Sequence, residues 1–95
     1  MFDVNNYFEG KVASLAFSNQ NGNFTSGVMA DGEYEFGTAK AEVMTVIEGT
    51  LTVQLPDSTE WETFGPGTKF DVPANSNFKV KAEGNTAYLC QYLEA

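Results

Sequence analysis

Hydrophobic alternation with a period of two runs through almost the whole chain, as in V-x-V, F-x-V and T-L-T-V-Q-L. No window sustains the i, i+3, i+4, i+7 spacing of an amphipathic helix, so the chain can bury its apolar residues only by making strands. The alternating runs predict strands over 10–17, 24–30, 33–38, 43–47, 50–55, 61–64, 69–72, 77–82 and 86–93. Turn signals at NQNGN, DG, EG, PDS, GPG, PANS and EGN separate them. Asp31-Gly32 and Glu48-Gly49 have the composition of two-residue hairpin loops, with Gly supplying a positive φ. Many short strands of this kind make an all-β sandwich or barrel.

At 95 residues the chain forms one domain, spanning 1–95, with a single core. A domain this small buries somewhat over ~60% of its unfolded surface, and pairing with a second copy adds burial, so a homodimer is expected. Thirteen acidic residues against five lysines, with no arginine or histidine, give a net charge of −8 and argue against nucleic acid as a partner. The same charge repels small anions, so any phosphate site must be made locally by Lys, hydroxyl or backbone N–H groups. Cys90 has no second cysteine to pair with, which fits a reducing cytoplasm. No apolar run is long enough to span a membrane, and MFDVNNYFEG has neither the basic start nor the apolar core of a signal peptide.

In the 50–55 strand, Leu51, Val53 and Leu55 share one face and Thr50, Thr52 and Gln54 the other, giving a core side and a wet side. The strand before it is apolar on both faces. Glu42, Met44, Val46 and Glu48 alternate with Val43, Thr45 and Ile47, as in a strand covered on both sides. Glu42 therefore shares a face with Met44 and Val46. Desolvation there raises a carboxyl pKa unless a cation or donors offset it, and the alternative is a solvated carboxylate at a strand end.

Glu42, six residues and Gly49 have the spacing that ends the first cupin motif, and Gly67, five residues and Pro73 that which begins the second. Seventeen residues separate Gly49 from Gly67. On this resemblance the fold is a cupin-type barrel, a jelly-roll-like double sheet. Phe36 and Thr38 stand where metal cupins place two histidines, Phe78 where the second motif has its histidine, Asn75 where it has a Gly and Ala82 where it has an Asn. One Glu with scattered Asp residues does not make the nitrogen-rich site that Zn, Fe or Cu prefer, so no metal is expected. Ser-His-Asp and Cys-His nucleophilic machinery is excluded by the same lack of histidine.

Longer matches are more specific. YFEGKVxSLxF, GVMxxGEYEFGTAxxExMTVIEGTLTVxLPD followed by Trp61, VPxxSxFxV and the closing YLCxYL resemble the small bacterial cupins of the pyrimidine/purine nucleoside phosphorylase family over nearly the whole chain. The resemblance implies phosphorolysis: inorganic phosphate and a ribonucleoside give ribose 1-phosphate and free base, reversibly, with tolerance for both base classes. It implies no cofactor beyond phosphate as co-substrate.

Cleavage of an N-glycosidic bond passes through a sugar with oxocarbenium character, so carboxylate or hydroxyl groups belong near the ribose and donors around the phosphate. Glu42 is the first choice for the ribose or its developing charge. Thr38 either donates its hydroxyl to phosphate or sugar, or is a strand residue satisfied by backbone. Phe36 and Phe78 either stack on a base or fill the barrel interior. In the closing strand Tyr88 and Tyr92 share a face with Cys90, while Gln91 lies opposite with Leu89 and Leu93. Tyr88, Gln91 and Tyr92 are substrate-binding candidates or packed structural groups, and Cys90 by its type is a small buried hydrophobe. The resemblance implies an arginine in the last strand where Gln91 stands. Of the lysines at 11, 40, 69, 79 and 81, Lys40 lies nearest in sequence to Thr38 and Glu42 and is the phosphate candidate. A non-catalytic ligand-binding barrel is the alternative function; a sugar isomerase or epimerase is disfavoured because proton transfer there calls for His or metal.

Overall fold

A computed structural model describes residues 2–93. These form ten strands and no helix: β1 (Val4–Tyr7), β2 (Val12–Asn19), β3 (Gly22–Met29), β4 (Gly32–Thr38), β5 (Glu42–Glu48), β6 (Leu51–Gln54), β7 (Glu62–Phe64), β8 (Lys69–Val72), β9 (Ser76–Ala82) and β10 (Thr86–Tyr92). All pairings are antiparallel, in a six-stranded sheet ordered β1-β2-β3-β10-β5-β8 and a four-stranded sheet ordered β4-β9-β6-β7. This is the jelly-roll-like double-sheet barrel expected from the cupin spacing.

The core lies between the sheets. Val12, Val46, Leu51, Val53 and Val80 have no solvent exposure, and Met29, Met44 and Phe78 almost none. Leu51 and Val53 fall on the face the alternation assigns to them, and Leu55 packs against the cluster half-buried. The opposite face of β6 is wet: Thr52 Oγ1 lies 3.1 Å from Thr63 Oγ1 and donates to Glu83 Oε2 at 2.7 Å.

Two turns differ from expectation. Asp31-Gly32 joins β3 to β4 and Glu48-Gly49 joins β5 to β6, and each connection leaves one sheet for the other instead of closing a hairpin. A positive-φ glycine serves either purpose, because it bends the chain sharply in both. Gly49 adopts φ 99°, and a Cβ there would sit 2.5 Å from Thr86 Oγ1 and 2.9 Å from Thr86 Cα. The tight hairpin is instead Gln20-Asn21, with Asn19 paired to Gly22 and Asn19 Oδ1 accepting the Asn21 N–H at 2.8 Å.

The strand β1 was not foreseen, since VNNY shows little apolar alternation and every residue of it is exposed. Three successive left-handed residues, Phe8 (φ 52°), Glu9 (φ 59°) and Gly10 (φ 85°), turn the chain from β1 into β2. This turn also delays β2, which begins at Val12 and not at residue 10. It lays the Phe8 ring on Tyr34, with centroids 5.0 Å apart, and edge-on to Phe36 at 5.5 Å. Asn75, at the motif position usually held by Gly, has φ 53°, a conformation Asn tolerates better than most residues.

Candidate active site

Between the two sheets lies a cavity of about 460 Å³. Its floor is the inner face of the six-stranded sheet, and the register explains which side chains reach it. Ser14 pairs with Gly27, Gly27 with Tyr88, Thr25 with Cys90, Cys90 with Met44, and Tyr92 with Glu42. Residues opposite one another in an antiparallel pair share a face, so four strands bring Ser14, Thr25, Glu42, Tyr88, Cys90 and Tyr92 to one surface. Phe36 and Phe78 come from the other sheet, with their rings 5.7 Å apart, and Tyr7, Phe8, Met29 and Met44 also line the cavity.

Gly27 sets the position of Tyr88. A Cβ at Gly27 would fall 2.6 Å from the Ala13 carbonyl oxygen, 2.7 Å from the Tyr88 hydroxyl and 2.8 Å from its Cζ. The Tyr88 ring lies across bare backbone, and its hydroxyl hydrogen bonds with Ser14. Thr25 Oγ1 and the Tyr92 hydroxyl are 3.1 Å apart.

Glu42, at the start of β5, sits half-buried among these groups. Desolvation pushes its carboxyl above the usual carboxylate range, and the Cys90 thiol, which donates to Oε1 at 3.3 Å, offsets part of that shift. Cys90 is pushed up to about 12, first by burial and then by the charge of Glu42. Tyr88 and Tyr92 are likewise each pushed up to about 12, chiefly by burial. At neutral pH the floor thus presents neutral O–H and S–H groups around one carboxyl. The described lining contains one carboxyl directed inward, that of Glu42, and no lysine; Glu35, next to Phe36 on β4, points to the outer face and is exposed.

Of the sequence-predicted residues, the structure brings together Glu42, Phe36, Phe78, Tyr88 and Tyr92. Thr38, Lys40 and Gln91 do not line the cavity. Thr38 is buried, with its hydroxyl donating to the Pro73 carbonyl at 2.7 Å and accepting the Ser76 N–H at 3.0 Å. It fastens the end of β4 to the turn before β9, as its backbone-satisfied alternative required. Lys40 is exposed in the connection between β4 and β5. Gln91 is on the outer face of its strand, where Nε2 donates to the Asn21 carbonyl at 3.2 Å.

Sequence reasoning missed Tyr7, Phe8, Ser14, Thr25 and Cys90. Cys90 was within reach, since it alternates onto the face of Tyr88 and Tyr92. Ser14 and Thr25 become visible only once the pairing of β2, β3 and β10 is known.

Metal cupins offer a donor test, and the ligand positions here fail it. Phe36 and Phe78 offer no donor atoms, the Thr38 hydroxyl is engaged by backbone, and only Glu42 of that set remains. Among the described residues no three His, Cys, Asp or Glu side chains converge on a common point.

A family model described as pyrimidine/purine nucleoside phosphorylase matches residues 2–92. The chain belongs to that family. A protein of Pseudomonas syringae pv. syringae named pyrimidine/purine nucleoside phosphorylase is 61% identical over 92 residues, which cover 97% of this chain and 99% of the relative. A crystal structure of a protein of unknown function from Vibrio parahaemolyticus superposes with a TM-score of 0.94 at 43% identity, covering 98% of this chain and 99% of that one. An RmlC-like cupin from Shewanella frigidimarina, 14% identical, superposes with a TM-score of 0.77 over 99% of this chain and 85% of its own, and shows the shared cupin fold. In this chain of the pyrimidine/purine nucleoside phosphorylase family, a cupin barrel encloses a cavity lined by the Glu42 carboxyl, neutral hydroxyls and aromatic rings.

Proposed function

We propose that the cavity catalyses phosphate-dependent, reversible cleavage of purine and pyrimidine ribonucleosides to free base and ribose 1-phosphate. The observation that carries this reading is the half-buried Glu42 in a cavity to which the other sheet contributes two aromatic side chains. Glu42 faces the ribose and stabilises the positive charge that develops as the glycosidic bond lengthens; a carboxylate poorly solvated beforehand loses little hydration in doing so. Phe36, partly exposed and backed by the buried Phe78, offers flat apolar surface to a base, and such surface accepts purines and pyrimidines alike because every base has a π-face.

Phosphate enters as an anion against a chain of net charge −8, and its contacts are neutral donors: the Tyr88 and Tyr92 hydroxyls with those of Ser14 and Thr25. Neutral donors bind phosphate less tightly than a guanidinium but hold it without pairing with Glu42. The reaction uses no metal or organic cofactor; phosphate is the co-substrate. The enzyme works as a homodimer in the cytoplasm, in keeping with its small size and its unpaired, buried thiol. Among the described residues no helix is long and apolar enough to cross a membrane.

The test is release of base from uridine and adenosine by pure, metal-free protein with and without phosphate. Turnover that ignores phosphate, or no turnover, rules the proposal out. The absence of a cationic side chain from the described lining favours one other reading, a barrel that binds a small ligand without transforming it. Saturable nucleoside binding with no base release would identify it.

A further inference from the structure

The motif YFEG, residues 7–10, carries the chain from β1 towards β2 and has no part in the chemistry assigned to Glu42 and the hydroxyls. It holds Phe8 and Glu9 in the left-handed region, at φ 52° and 59°, before Gly10 at φ 85°. A β-carbon makes that conformation costly, and for a bulky aromatic residue it is a true outlier. Burial returns little, since Phe8 is 43% exposed. Backbone held this way at the edge of a cavity points to a task for the side chain it presents.

The side chain it presents is the Phe8 ring, which reaches from β1, the edge of the six-stranded sheet, to β4, the edge of the four-stranded one. The ring stands at 89° to that of Phe36, so a flat base laid on Phe36 runs up against Phe8. Beside it is a second hollow of about 340 Å³, lined by Phe8, Glu9, Lys11, Glu33 and Tyr34. Among the described residues, Phe8 alone lines both this hollow and the cavity. Its neighbours are pinned: Tyr34 is buried with its hydroxyl donating to the Ala30 carbonyl at 2.6 Å, and Phe36 rests on the buried Phe78. Phe8 itself hangs from a turn closed by two backbone bonds, from the Gly10 N–H to the Tyr7 carbonyl and from the Lys11 N–H to the Phe8 carbonyl, each 3.1 Å. The strand leading into that turn is exposed at every residue.

We infer that Phe8 is the movable wall of the base subsite and sets the balance between pyrimidines and purines. A rigid wall serves one ring size: set for a purine it leaves a gap beside a pyrimidine, and set for a pyrimidine it clashes with a purine. With the ribose against Glu42, a one-ring pyrimidine packs against Phe8 where the ring now rests. A two-ring purine extends further and displaces the ring into the hollow, where Tyr34 and the aliphatic stem of Lys11 receive it. The inference rests on the phosphorylase reading for the placement of ribose and base, and adds the residue through which one cavity takes both ring sizes.

Isothermal titration calorimetry with uridine and with adenosine tests the wall without any need for turnover. In Phe8→Ala, uridine is expected to lose about tenfold in affinity, the scale of one aromatic contact, and adenosine under roughly threefold, because it no longer has to displace the ring. Phe8→Tyr keeps the ring and should keep the parent's ratio of the two dissociation constants. An equal loss for both nucleosides, as a merely structural role would give, overturns the inference, and so does an unchanged ratio in a Phe8→Ala protein that melts as a folded domain. Crystals of the parent with each nucleoside give a second readout. The Phe8 ring is expected on Phe36 in the uridine complex and in the hollow beside Glu9, Lys11 and Glu33 in the adenosine complex; the same ring position in both overturns the inference. A parent that shows the expected binding but releases no base with phosphate sinks the phosphorylase reading alone. A parent that releases both bases while Phe8→Ala leaves the ratio unmoved sinks the wall alone, and one that binds neither nucleoside sinks both.

Discussion

Replacing Glu42 by Gln keeps the side chain's shape and removes its charge from the cavity. If the carboxylate lies ~4 Å from the anomeric centre, its attraction for a developing unit charge is about 4 kcal/mol at an effective dielectric near 20. That corresponds to roughly a thousandfold in kcat. The ground-state nucleoside is uncharged, so KM should move far less. Stability should move the other way. The folded-state pKa of Glu42 is raised, so its contribution to stability is fully present below the unfolded carboxyl pKa and is lost as pH rises through the folded value. At neutral pH the ionised group is a burden on the fold, and Glu42→Gln lifts it. The assay is steady-state release of uracil and adenine with saturating phosphate, beside thermal melts at pH 4 and pH 7.5. Expected are a kcat loss of about three orders of magnitude, a melting temperature at or above the parent's at pH 7.5, and less dependence of that temperature on pH. A variant within tenfold of the parent in kcat would refute the electrostatic role; one melting well below it at pH 7.5 would refute the desolvation argument.

Other perturbations separate the site from its scaffold. Cys90→Ala removes the donor that lowers the Glu42 pKa, so the acid limb of the kcat/KM pH profile should move to higher pH; an unmoved limb would show that the contact is inert in catalysis. Gly27→Ala forces a methyl into the Ala13 carbonyl and the Tyr88 ring, at a cost of ~1–3 kcal/mol for overpacking, or ~4–8 °C in melting temperature per kcal/mol for a domain of this size. Thr38→Val leaves the Ser76 N–H and the Pro73 carbonyl without their partner and should cost about 1–3 kcal/mol in urea melts, with kcat of the folded protein unaffected.

The parts of the fold legible in the sequence were those that depend on one strand at a time. Alternation placed Leu51 and Val53 in the core and set Glu42 beside Met44 and Val46, because side-chain direction within a strand has a period of two whatever its neighbours are. Pairing was less accessible. Asp31-Gly32 and Glu48-Gly49 read as hairpins because a glycine bend looks the same whether the next strand returns to the same sheet or crosses to the other; long-range packing decides that. The site shows the same division. Glu42, Phe36 and Phe78 followed from motif spacing, and Tyr88 and Tyr92 from their shared face. Gln91 was set on the face opposite Tyr88 and Tyr92, with ligand and backbone both open as partners for its amide, and the structure gives it a backbone partner, the Asn21 carbonyl. Cys90 was discounted on the habits of its residue type, although its neighbours two positions either side were chosen. Tyr7 and Phe8 depend on the left-handed turn at residues 8–10, two of which are not glycine and give no local sign of it.

The most direct measurement is a crystal structure with phosphate and a non-reacting uridine analogue bound. The account predicts the ribose against Glu42, the base against the Phe36 ring, and phosphate held by the Tyr88 and Tyr92 hydroxyls. Phosphate or nucleoside ordered only outside this cavity, or phosphate held there by a lysine side chain, would contradict it.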